Sequence, residues 1–75
     1  MKKDVGKKFK MLREKAGFTQ ESLAKKLGIR VNTISRIEND HNLPTLETLL
    51  GMSRAFGMSL DEMVEEMWAF DEIAG

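Results

Sequence analysis

Four interruptions constrain this chain more than any other feature: Gly17, Gly28, the stretch "DHNLP" at residues 40–44, and Gly57. Glycine tolerates the left-handed backbone that ends helices, and Asp, Asn and Pro favour turns. The segments between these breaks are short, and apolar residues recur within them every three or four positions. That is the period of a helix with one buried face. Val5, Phe9, Leu12 and Ala16 predict a first helix over 3–16. Thr19 is a good N-cap for a second over 20–27, with Leu23, Ala24 and Leu27 inward. Ile34 and Ile37 anchor a third over 31–39. Thr45 caps a fourth, with Leu46, Leu49, Leu50, Met52 and Phe56 apolar. Ser59 and Glu62 match the S-x-x-E capping box that opens a fifth, in which Leu60, Met63, Val64, Met67 and Trp68 are apolar. The expected fold is all-α: five helices in one domain over residues 1–75, with the second and third joined as a helix-turn-helix.

Composition narrows the function classes. With no cysteine in the 75 residues, disulfides and thiolate zinc sites are excluded. No apolar run approaches a membrane span, and "MKKDVGKKFK" is too charged for a signal peptide. A cytoplasmic protein, nucleoid-associated when bound to DNA, is expected. Net charge is zero, but residues 1–39 hold eleven cations and four acids, whereas 40–75 hold one cation and eight acids. The basic half suits a polyanion, although chance clustering on a solvated surface gives the same pattern.

The third segment, "IRVNTISRIEND", is the most informative. With side chains turning about 100° per residue, Ile34 and Ile37 share one face, and Asn32, Arg36 and Asn39 fall within about 40° of the opposite direction. Ser35 stands beside that outer set, and Val31 and Thr33 lie on the borders. Asn pairs with adenine edges, Arg with guanine edges, and methyl groups with thymine. A solvated face is the plain alternative, although such faces more often carry Glu and Lys at pairing distance. Glu38 projects toward the core side, where an unpaired carboxylate is costly, so it needs a cation. Arg13 is one candidate among several.

These elements together resemble the Cro and CI repressor type of helix-turn-helix domain, also called the xenobiotic-response-element family. The resemblance rests on "LRE" at 12–14, "FTQESLAKKLGI" at 18–29, "TISRIE" at 33–38, Pro44 and "SLDEM" at 59–63, and covers about residues 5–64. It implies a five-helix, lambda-repressor-like bundle that places the third helix in the major groove of double-stranded DNA. It implies base reading by Val31, Asn32, Ser35 and Arg36, with Thr33 at the border. It also implies phosphate contacts by Gln20, Asn39, His41 and Asn42, and an Arg13–Glu38 ion pair. Two positions depart from the family pattern. Arg30 replaces the usual Ser or Thr cap, where its charge can reach phosphate, and Val31 replaces a polar reader.

The remaining residues carry less. His41 is the only histidine and has no partner ligands, so no metal and no cofactor are expected. Glu65, Glu66, Asp71 and Glu72 suit a solvated acidic face better than a catalytic pair, and with no phosphate loop or nucleophile elbow an enzyme is not expected. Met63, Met67, Trp68 and Phe70 exceed what one short helix needs for its core. Simple core filling is one reading of them; the other is a homodimer interface formed by these four with the C-terminal extension, residues 65–75, since Met and aromatics concentrate at interfaces. The leading expectation is a repressor-like regulator of transcription reading a palindromic operator as a dimer. The alternative is a protein-interaction module whose acidic half holds a partner, as the antitoxin of a toxin–antitoxin pair does.

Overall fold

The computed structural model describes residues 4–68. They form α1 (Val5–Lys15), α2 (Gln20–Leu27), α3 (Val31–Glu38), α4 (Leu46–Phe56) and α5 (Leu60–Trp68), and no strand occurs among them. α1 packs on α3 and α5, α2 on α3 and α4, and α4 on α5, so every helix buries its apolar stripe against at least one other. The core is Val5, Phe9 and Leu12 from α1, Leu23 and Ala24 from α2, Ile34 and Ile37 from α3, Leu49 and Met52 from α4, and Met63 and Met67 from α5. Each large side chain buried in this way stabilises the fold by about 1.5–3 kcal/mol before entropy is counted. Phe18 and Phe56 close one edge as a tilted ring pair with centroids 5.8 Å apart.

The helix ends follow from local chemistry. Thr19 accepts from Ser22 N while the Ser22 hydroxyl accepts from Thr19 N, a reciprocal cap that starts α2. Gly28 ends it at φ +70°, where a side chain would be strained. Thr45 accepts from Thr48 N at 3.1 Å, and Ser59 and Glu62 exchange bonds of 2.9 and 3.1 Å at the start of α5.

One expectation requires correction. Met63 and Met67 are fully buried within the single chain, so they fill its core and cannot line a dimer interface. Trp68 is half-buried against the same cluster, and Phe70 lies outside the described residues. Leu46 and Leu50 do not join the core: they are 63% and 39% exposed. The inward face of α4 is taken by Thr48, Leu49 and Met52.

Gly6 is buried in α1 where that helix crosses the end of α3. A Cβ there would lie 2.5 Å from the carbonyl oxygen of Ile37 and 2.6 Å from that of Glu38. The absence of a side chain thus sets how closely the two helices approach. Gly6 N–H donates to Asp40 Oδ1 at 2.9 Å, which satisfies one of the donors that a helix N-terminus leaves open.

Candidate nucleic-acid interface

The α2–α3 pair meets through a tight turn, in which Ile29 N–H donates to Ala24 O at 3.0 Å. Ile34 and Ile37 fix α3 to the core. Its C-terminal end is closed by Asp40 N–H to Ile37 O at 3.1 Å and His41 N–H to Arg36 O at 2.8 Å. Asp40 takes a positive φ of 62°, so the chain turns sharply away from the helix axis.

Glu38 is the hub of a polar network. Arg13 Nε and Nη2 donate to its two carboxylate oxygens at 2.6 and 3.1 Å, and Gln20 Nε2 donates to Oε1 at 2.9 Å. Arg13 Nη1 also donates to the carbonyl of Phe18 at 2.9 Å. The two charged side chains are 7% and 4% exposed. Its hydrogen bonds to Glu38 raise the Arg13 guanidinium above its ordinary pKa, working against a smaller lowering by burial. One carboxylate of α3 therefore ties that helix to α1 and α2. Gln20 is turned inward to this network, so its amide is not simply presented to solvent.

The outer face is arranged differently. Val31, Asn32 and Arg36 are exposed, Ser35 is half-buried beside them, and Thr33 lines the cleft between α3 and the start of α4. With its amide oxygen turned toward Arg36, Asn42 accepts from Arg36 Nε at 3.2 Å and donates to His41 O at 2.8 Å. Among the described residues, that contact leaves the two terminal guanidinium nitrogens without a partner, as a fork of the shape that meets a guanine edge. Asn39 turns back along the helix and donates to Ser35 O at 2.8 Å. Arg30 precedes α3 with no side-chain cap bond and is exposed, as is His41. Reading the sequence missed three of these contacts: Gln20 with Glu38, Asn42 with Arg36, and Gly6 with Asp40. Each joins residues whose approach depends on how the helices cross or the loop turns, and no local periodicity encodes it.

A family profile described as helix-turn-helix matches residues 9–63, which span all of α2, α3 and α4. The chain belongs to the Cro/CI-type helix-turn-helix family. Members similar to it include the HTH-type transcriptional regulator ImmR of Bacillus subtilis (strain 168), 40% identical over 60 residues that cover 80% of this chain and 47% of ImmR. Antitoxin HipB of Escherichia coli (strain K12) is 39% identical over 51 residues, covering 68% of this chain and 58% of HipB. This helix-turn-helix chain thus spans about half the length of these two relatives. Among solved structures, the DNA-binding domain of the P22 C2 repressor superposes with a TM-score of 0.76 at 26% identity, over 93% of this chain and 92% of that one. The fold is therefore lambda-repressor-like. Among the described residues, no helix is long and apolar enough to cross a membrane, and no three His, Asp or Glu side chains are grouped to hold a metal.

Proposed function

We propose that this protein is a sequence-specific DNA-binding regulator of transcription, repressor-like, that reads a palindromic operator as a homodimer and has no enzymatic role. The observation that carries the reading is α3 itself. Its inner face is locked by Ile34, Ile37 and the buried Glu38 network, and its outer face presents Val31, Asn32 and Arg36 to solvent. A helix fixed in this way can enter a major groove without rearranging. Arg36 takes a guanine, Asn32 an adenine, and Val31 a thymine methyl, with Ser35 and Thr33 beside them. Arg30 reaches phosphate at the start of α3, and Asn39 and His41 do so past its end; Gln20 contributes from the first turn of α2, where a helix N-terminus favours anions. These contacts set register, and the base contacts set sequence. A cytoplasmic, nucleoid-bound location follows from that role.

The test is selection of bound sites from random double-stranded DNA at several salt concentrations. A palindromic motif with half-site centres about 34 Å apart is the expected outcome. Retention of DNA without any enriched motif would overturn sequence reading. The similarity to HipB favours a second reading, in which the acidic half from residue 40 onward also holds a protein partner as an antitoxin does. In that case a co-purifying partner would dissociate on charge reversal of Glu65 and Glu66, with DNA selection unchanged.

A further inference from the structure

Among the described residues, only Asp4 and Asp40 take a positive φ without being glycine, at 58° and 62°. That backbone crowds Cβ against a carbonyl, and a residue kept there usually owes it to its surroundings. Asp4 precedes α1. Asp40 stands where α3 gives way to the loop beyond it, and its side chain reaches 34 positions back: Gly6 N–H donates to Oδ1 at 2.9 Å. The loop that starts at Asp40 folds over a single residue. His41 N–H and Asn42 N–H both donate to the carbonyl of Arg36, at 2.8 and 3.4 Å. The Asn42 amide oxygen accepts from Arg36 Nε at 3.2 Å. α1 presses on the same junction, since only a missing side chain at Gly6 lets it come so near the carbonyls of Ile37 and Glu38.

We propose that Asp40 is a positioning residue for base recognition: its bond to the start of α1 holds the loop that aims the Arg36 guanidinium. The backbone strain and the hydrogen bond are of the same order, so the bond offsets the strain and keeps the loop on one course. With that course fixed, Asn42 keeps its hold on Nε, and the two terminal nitrogens of Arg36 face one direction. Without the bond the turn is no longer anchored to α1, the loop swings, and Arg36 points in more than one direction. Two hydrogen bonds to one base edge need both nitrogens in place. Loss of aim therefore lowers discrimination at that base before it lowers affinity, to which the phosphate contacts contribute throughout. Specificity then depends on a side chain that touches no base and on α1, a helix outside the helix-turn-helix. The consequence for DNA rests on the proposed operator reading; the aiming of Arg36 is a property of the free protein.

The test compares Asp40→Gly with Asp40→Asn in the full chain, with helicity checked by circular dichroism. Glycine takes the positive φ freely but has no acceptor, whereas asparagine tolerates that φ and keeps an acceptor oxygen. Both remove the same charge, so a general electrostatic change is common to the two. Without DNA, exchange of the Arg36 Nε–H with solvent, followed by NMR, should be at least about threefold faster in Asp40→Gly and unchanged in Asp40→Asn. On the selected site, Asp40→Gly should lower the preference for one base, the one that Arg36→Ala relaxes, about fivefold or more. Asp40→Asn should keep that preference within about twofold of the parent. Parent-like exchange in Asp40→Gly, or equal losses in both variants, would overturn the positioning role. So would a lost preference at any other base. Faster exchange in Asp40→Gly with no sequence selected by the parent chain would leave the link to Arg36 standing and remove the operator reading. A selecting parent whose base preference survives Asp40→Gly would remove the positioning role alone.

Discussion

Glu38→Ala is the most informative single change in this molecule. The substitution removes both hydrogen bonds from Arg13 and the one from Gln20. It leaves a guanidinium whose side chain is 7% exposed with one strong acceptor, the carbonyl of Phe18. Removing one partner of a buried pair costs about 3–5 kcal/mol, because the other charge stays desolvated. A chain of 75 residues has a total stability of roughly 4–11 kcal/mol at the usual 0.05–0.15 per residue. The variant should therefore lose about a quarter or more of its stability, read as a lower midpoint in urea unfolding followed by circular dichroism. Replacing both partners, as in Arg13→Met with Glu38→Leu, removes the stranded charge and should restore most of the loss. That double variant should fold yet bind its selected site more weakly, because α3 is no longer tied to α1 and α2. A loss below about 1 kcal/mol for Glu38→Ala would refute the desolvation argument. Full DNA affinity in the folded double variant would refute the orienting role.

Other outcomes follow from the same geometry. Arg36→Ala should cost about 1–3 kcal/mol on the selected site and relax one base position in competition binding, whereas an equal loss on random DNA would exclude direct readout. Asn42→Ala should loosen preference at that same base while the salt dependence of binding stays unchanged, because it frees Arg36 Nε without removing a cation. A shallower salt slope would make Asn42 a phosphate contact instead. Gly6→Ala drives a methyl into the backbone of Ile37 and Glu38 and should destabilise by about 1–3 kcal/mol in thermal melts, typical of overpacking. A neutral result would mean that α1 can tilt away freely.

How much of this was legible in the sequence depends on whether the cause is local. The breaks at Gly17, Gly28 and Gly57 and the caps at Thr19, Thr45 and Ser59 act within a few residues, and all stand where the sequence puts them. The reciprocal cap at Thr19 uses Ser22 where the usual signature has Glu or Gln, so only half of it was readable. Gly6 looked like an unremarked glycine inside a helix, because the reason for it lies in the backbone of α3. Periodicity marked Met63 and Met67 as apolar but could not say which neighbour they face. It also marked Leu46 and Leu50 as apolar but could not say that the inward arc of α4 is filled without them. Gln20 is legible as a helix-start residue. Its turn toward Glu38 is not, since it depends on a carboxylate eighteen positions away with acceptor sites to spare.

The eight residues of α3 divide their labour with little overlap. Ile34, Ile37 and Glu38 hold the helix in place, and Val31, Asn32 and Arg36 touch nothing in the core. Exchanging those three outer residues should therefore cost folding little, since exposed positions away from caps rarely matter by more than about 0.5 kcal/mol and Arg36 gives up only its bond to Asn42. A lineage carrying this scaffold can drift to new target sequences in a few substitutions without passing through an unstable intermediate.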